Sequence, residues 1–211
     1  MTNNNTKLEV SMVHRNVLCI FLLSLFLMAG CSSKLMSPVD MSEDTTKLGE
    51  NESAIIFFRD SPLGVAIQAP VGEVAESGDV QFIAIISYNT KLLHKTTPGK
   101  HLYVVGGESS TLLEADLAPQ KYYYVEVNPD MGFWKARFHM EAIPVSDFPK
   151  LAKNLKSCKW VTPNDSAKTW FAENKDDMVK KGEHARKQHA DEEKKTKYFL
   201  TQDQGADALL E

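Results

Sequence analysis

The spacing of apolar residues divides this chain into four stretches. They run almost unbroken from Val17 to Ala29, show no period from Ser32 to Glu52, and fall into short β-rich runs from Ser53 to Pro144. After Pro144 they recur at helical spacing. SAIIFFR (53–59) and VQFIAIIS (80–87) are apolar at nearly every position, which predicts strands covered on both faces. Asn89-Thr90 predicts a reversal into KLLH (91–94), and Pro98-Gly99 a turn into HLYVVGG (101–107). TLLEAD (111–116) and KYYYVEV (121–127) follow, split by Ala118-Pro119. The clearest alternation is WKARFHMEAI: Trp134, Ala136, Phe138, Met140 and Ala142 on one face, Lys135, Arg137, His139 and Glu141 on the other. An extra strand is expected from Leu63 to Gln68, inside a longer polar stretch.

Beyond Pro144, Ser146 is positioned to cap a short helix reaching Leu155, and Pro163 with Asn164 and Asp165 marks the start of a longer one. Ala167, Trp170, Phe171, Asn174 and Met178 share one face, so about three turns are expected to dock, pinned by the aromatics. Past Met178 the acid-first pairs Asp176/Lys180, Asp177/Lys181, Glu183/Lys187 and Asp191/Lys195 predict a solvated helix. The expected fold is mainly β: an antiparallel β-sandwich over residues 53–145, then a helical extension over 146–197 consisting of a short helix and a long charged C-terminal helix. Residues 31–52 are expected to be a flexible tether and 198–211 a disordered tail.

The opening apolar run is shorter than the roughly 20 residues a helix needs to cross a bilayer. It follows Lys7, His14 and Arg15 and reads as the h-region of a signal peptide occupying residues 1–30. Leu27-Met28-Ala29-Gly30-Cys31 resembles the bacterial lipobox, in which an aliphatic residue and small ones precede a cysteine. That resemblance implies diacylglyceryl transfer to the Cys31 sulfur, cleavage after Gly30 and acylation of the new amine, so the mature chain begins at a lipidated Cys31. Each buried methylene adds about 0.8 kcal/mol, and two or three acyl chains hold durably where one does not. Ser32 in place of aspartate implies, by the enteric sorting rule, the periplasmic side of the outer membrane.

The whole chain carries a net charge of −4. The leader holds Lys7 and Arg15 against Glu9, a net +1, which leaves −5 on the mature chain and no basic surface suited to nucleic acid. With Cys19 removed and Cys31 acylated, Cys158 is the single thiol, so no intrachain disulfide framework is possible.

From residue 53 to about 145 the chain resembles a family of small bacterial lipoproteins carrying the uncharacterised domain DUF2846. The likeness rests on the opening strand AIIFFR, the hairpin around 80–94, the Pro98-Gly99-Lys100-His101 turn and the run KYYYVEV. Its members are also similar in continuing with a short strand and a Trp-containing charged helix, here Trp160 to Lys181. The resemblance implies a β-sandwich and brings no established activity and no functional residue.

Candidate chemistry is sparse. GGESST (106–111) lacks the second glycine of a nucleophile elbow and the spacing of a dinucleotide loop. His184 and His189 stand five apart, about 140° round a helix, which is the wrong separation for a shared metal. His94 and His101 flank Pro98-Gly99 and can approach across that turn, without a nucleophile placed by sequence to join them. If Tyr123 packs inward with Val125 and Val127, then Tyr122 and Tyr124 share the other face with Glu126. There the two tyrosines either stack on a ligand or are covered by Trp170 and Phe171 of the long helix. The expected function is that of a non-enzymatic, lipid-anchored envelope module without metal or cofactor. It meets the membrane through Cys31 and an envelope protein or cell-wall partner through the distal helix; the alternative is a module that binds glycan or peptidoglycan fragments through Tyr122 and Tyr124.

Overall fold

The computed structural model describes residues 35–107, 110–130, 137–189 and 199–210, the side chains at 188 and 189 excepted. In chain order these form β1 (Met36–Pro38), α1 (Glu43–Thr46), β2 (Ser53–Arg59), β3 (Ala69–Val74), β4 (Val80–Ile86), β5 (Thr90–Thr96) and β6 (Gly99–Val105). Then come β7 (Thr111–Leu117), β8 (Tyr122–Asp130), β9 (Arg137–Ala142), α2 (Phe148–Leu155), β10 (Lys159–Pro163), α3 (Asp165–His189) and β11 (Phe199–Leu200). The strands make two sheets, ordered β1-β10-β5-β2-β8-β9 and β11-β7-β6-β3-β4.

The fold is mainly β, and its main core lies between the sheets. Ile55, Phe57, Tyr123 and Val125 of the six-stranded sheet meet Val71, Ile85, Tyr103 and Leu113 of the five-stranded one. Every residue of β2 is buried, because its other face is covered as well. Ala54, Ile56 and Phe58 pack there with Tyr122, Tyr124 and the α2 residues Phe148, Leu151 and Leu155. On the far side of the five-stranded sheet, α3 lays Phe171, Met178 and Ala185 against Val74, Val80, Val104 and Leu112. Four layers result, with two sheets inside and helices outside.

The sheets are mixed where a purely antiparallel sandwich was expected. β2 runs parallel to β8, β10 to β5 and β11 to β7. Between β2 and β8 the chain passes through the other sheet, so β8 returns beside β2 in the same direction. At the Val71/Gly72 shift in the β3–β4 pairing, a Cβ on Gly72 would stand 2.5 Å from Val80 Cγ1 and 2.9 Å from the Gln81 carbonyl oxygen. Only glycine fits that bulge without displacing the neighbouring strand.

Several loose segments of the sequence reading are packed. Residues 36–38, assigned to a tether, pair with β10, and Met36 and Leu48 enter the two clusters over the six-stranded sheet. The segment expected as a strand from Leu63 to Gln68 is instead curled. The buried guanidinium of Arg59 donates to the carbonyl oxygens of Leu63, Gly64 and Ile67, and the strand begins at Ala69. Ser146 bonds to the Asp147 carboxylate and does not cap α2, whereas Asn164 Oδ1 accepts from the Ala167 N–H and caps α3. That helix, about 37 Å long at 1.5 Å per residue, docks well past Met178. Gly182 lies against Val74 and Val80, and Arg186 donates to the Ala75 carbonyl. The distal half expected to be solvated is therefore attached along one face. Of its ion pairs, Asp177–Lys181 closes at 2.6 Å. Trp134, Lys135 and Ala136 of the alternating run, and the pair Asp191/Lys195, lie outside the described residues.

The tail is the largest departure. Leu200 of β11 is fully buried beside β7, and Ala206 exchanges two backbone hydrogen bonds with Tyr122 at 2.8 and 2.9 Å. Leu209 and Leu210 then join the cluster of Tyr122 and Tyr124. The sequence hides this because the polar stretch Thr201–Gly205 separates the apolar residues that dock. Leu200→Ala should cost about 2–4 kcal/mol, read as a lower urea midpoint with an unchanged slope; a loss under about 0.5 kcal/mol, the scale of surface substitutions, would show that the tail contributes nothing to the core.

Candidate functional site

The two histidines that flank Pro98-Gly99 do converge, on a residue the sequence reading left out. Glu73 stands on β3 opposite Tyr103 of β6, and His101 is its diagonal neighbour two residues back along β6. His94 comes from β5 in the facing sheet, so the cluster bridges the two sheets. His101 Nδ1 donates to Glu73 Oε1 at 2.7 Å, and its Nε2 donates to the Thr97 carbonyl oxygen at 2.8 Å. Both partners are acceptors, so both ring nitrogens must carry protons and the bonded ring is an imidazolium. His94 Nε2 lies 3.7 Å from Glu73 Oε2, within ion-pair reach but too long for a hydrogen bond. Tyr103, fully buried, stacks on His101 and meets His94 edge-on.

The electrostatics follow from this geometry. The hydrogen bond from His101, reinforced by His94, holds the Glu73 carboxyl down at about 2. The reciprocal bond raises the His101 pKa, against the opposing effect of burial. Burial and the Glu73 charge push the Tyr103 hydroxyl upward.

Glu73 and His101 form one wall of a cleft of about 750 Å3, whose other lining includes Lys100, Glu114, Asp116, Arg186 and the exposed ring of Phe199. Glu76 adds a further carboxylate. Carboxylates and cations are thus interleaved around one aromatic ring, a lining suited to a polar ligand carrying charge of both signs. Sequence reading missed Glu73 because it misplaced the strand before it. With β3 set at residues 69–74, Val71 and Glu73 share the inward face, and a carboxylate in that phase is a visible signal.

The other candidates part company. Tyr123, Val125 and Val127 do face the main core with Tyr122 and Tyr124 on the opposite face, where both rings are largely covered, although Tyr122 lines a cleft of about 710 Å3 with Lys91 and Trp160. Tyr122 is 8% exposed and Tyr124 not at all. The cover is not Trp170 and Phe171, which belong to the other sheet, where Phe171 stacks on Phe82 at 4.9 Å. It is α2, through Phe148 edge-on to Tyr124, together with Leu209 and Leu210 of the tail. Their hydroxyls are also occupied: Tyr122 Oη donates to the Thr46 carbonyl, and Tyr124 Oη accepts from the Leu210 N–H. Stacking of a sugar on both rings together is not open to them in this conformation, because Tyr124 is wholly covered.

Cys31, Glu108 and Ser109 lie outside the described residues, as does the side chain of His189. Ser110 is buried, and its hydroxyl donates to the Lys181 carbonyl, which tethers the β6–β7 connection to α3. His139 sits on the wet face, 2.8 Å from an Asp130 oxygen. Cys158 is 5% exposed, and burial pushes its thiol up to about 11, so it is a poor nucleophile. Among the described residues no group of three His, Cys, Asp or Glu side chains is arranged to hold a metal, and no helix is long and apolar enough to cross a membrane.

The sign of the pH dependence is fixed by the two shifts. His101, raised from 6.5, lends stability that is complete below that value and lost as pH rises through the raised one; Glu73 lends stability above 4.5 that is lost as pH falls through about 2. Glu73→Gln should therefore cost about 1–2 kcal/mol near pH 6, the scale of a partly exposed charged hydrogen bond. It should also flatten the decline in stability at alkaline pH, and urea denaturation across that range would expose the error if the variant declined as steeply as the parent. No protein-family model matches the chain, and no curated protein matches it.

Proposed function

We propose that this chain is a lipid-anchored protein of the bacterial cell envelope whose β-sandwich serves as a non-enzymatic binding module. The observation that carries this reading is the lipobox Leu27-Met28-Ala29-Gly30-Cys31 behind a short apolar run. Cys31 is the lipidated residue, and Ser32 after it directs the protein to the periplasmic side of the outer membrane.

The binding surface in this proposal is the mixed-charge cleft beside Glu73 and His101. It replaces the distal helix as the partner-facing element, since α3 is attached along one face to Ala185. A binding role suits the chemistry of the cluster. Glu73 and His101 are engaged with one another and with the Thr97 carbonyl, so their protons and lone pairs stabilise a wall of the cleft, while His94 stands within ion-pair reach of Glu73 without a hydrogen bond. The partner is a protein or cell-wall component of the envelope that presents both positive and negative groups; a nucleic acid does not fit the four carboxylates of the lining.

The test is growth with an alkyne-bearing palmitate, followed by intact-mass analysis and fractionation. The expected result is a mature chain beginning at Cys31, carrying acyl mass and sedimenting with outer membranes, with label and membrane retention abolished in Cys31→Ala. A chain retaining residues 1–30, or a mature chain without acyl mass, would overturn the anchor reading.

A further inference from the structure

The outer face of the six-stranded sheet carries a row of carboxylates at the margin of α2. Glu126 of β8 stands directly opposite Glu141 of β9 and level with Phe58 of β2, and Asp60 follows Phe58 on the same side. Like charges opposed across strands repel. Here a proton relieves the repulsion: the Glu126 and Asp60 side chains are hydrogen-bonded to one another, a bond that two ionised carboxylates, which only accept, cannot make. Asn128 is a further partner of Glu126. Burial pushes the half-buried Glu126 carboxyl up to about 7, with the bond to Asp60 and the charges of Asp60 and Glu141 adding to it.

α2 roofs this cluster. Asp147, Lys150, Leu151 and Asn154 enclose, with Phe58, Glu126 and Ile143, a gap of about 80 Å3 between helix and sheet. The helix has eight residues and no side-chain cap at its N-terminus, too few turns to persist undocked. Phe148, Leu151 and Leu155 hold it on Ile56, Phe58 and Tyr124. Lys91 Nζ donates to the Leu155 carbonyl at 2.7 Å and pins the C-terminal end, while the other end rests through Phe148 on Tyr124.

We propose that the proton shared by Glu126 and Asp60 latches α2 onto the sheet, so that the helix is seated in acid and loosens about its Lys91 pin as the medium turns neutral. An ionised Glu126 needs more water than its half-buried place admits, and it gains that water when α2 lifts. The other groups facing Glu126 leave this balance in place. Glu141 on β9 and Asp147 on α2 add negative charge, and Lys150 on α2 is exposed. Cys158, on the turn before β10, is a thiol that burial keeps neutral, and Lys91 on β5 is engaged with Leu155 and the Trp160 ring. Loosening uncovers Tyr124, next to the cleft that Tyr122 and Trp160 line.

Linkage fixes the sign. With α2 lifted, Glu126 meets water and titrates near the ordinary 4.5; seated, it titrates at about 7. The seated form is therefore most favoured below 4.5, loses ground as pH rises from there, and levels off above about 7.

The test is hydrogen exchange of the full chain as processed in cells, read by mass spectrometry from pH 4.5 to 8 in the parent, Glu126→Gln and Asp60→Asn. The parent-to-variant ratio of rates for segment 148–155 cancels the intrinsic pH dependence of exchange and the titration of His101 and Glu73, which all three proteins share. Between pH 4.5 and 7.5 that ratio should rise at least about tenfold for Glu126→Gln and at least about threefold for Asp60→Asn, then level. Segment 148–155 should also exchange faster than β4 and stay indifferent to low urea, the mark of a local opening. A ratio flat across this range overturns the proposal. So does exchange of 148–155 that matches β4 and accelerates with urea in step, since the helix would then leave only with the whole fold. Either variant alone carries the test if the other does not fold.

Discussion

β2 has no wet face, and the rest of the architecture answers that constraint. Seven consecutive buried residues, SAIIFFR, demand an apolar layer on each side of one strand. The five-stranded sheet covers Ile55 and Phe57, while α2, Leu48 and the tail cover Ala54, Ile56 and Phe58. At about 25 cal/mol per Å2 of apolar surface removed from water, neither cover is dispensable, and segments remote in sequence are recruited to supply the second. The same need explains why polar-looking termini are docked: their few apolar residues fill the remaining gaps over one sheet.

Charge is handled with equal economy at the two ends of the sandwich. At one end the Arg59 guanidinium is buried, and its two terminal nitrogens donate to carbonyl oxygens while Nε has no partner among the described residues, an arrangement that shapes the loop following β2. At the other, Glu73 spends its charge on His101 and, more weakly, on His94, which ties the sheets together at the margin of the cleft. Neither group is solvated as a lone ion, and each organises the segment that solvates it.

Much of the sandwich was legible in the sequence, and the failures share a cause. Periodicity placed β2, β4 to β8 and the inward phase of Tyr123, Phe138 and Met140, because period two is a local property of a half-buried strand. Helix α3 was legible through its proline and Asn164 cap. Periodicity could not place β3, whose run APVGEV carries a proline and a bulge glycine, and with β3 went Glu73. Nor could it foresee that Tyr122 and Tyr124 are covered by residues 148–155 and 206–210, since contacts across about twenty-five to eighty residues leave no mark on local spacing. The approach of His94 to His101 was visible because a tight turn brings it about; the carboxylate that completes their cluster is distant in sequence and was not.

The lacing of the tail has a kinetic consequence. β11 extends the five-stranded sheet, and Ala206 then pairs with Tyr122 of the six-stranded one, so the two sheets are stitched together by residues that come after β1 to β10 in the chain. β1 likewise waits for β10, more than a hundred residues downstream. A nascent chain that lacks both closures holds an unfinished core, and its high contact order makes collapse to the native arrangement slow. On the proposed reading of the chain as an exported lipoprotein, that delay keeps the polypeptide threadable until it has crossed the membrane.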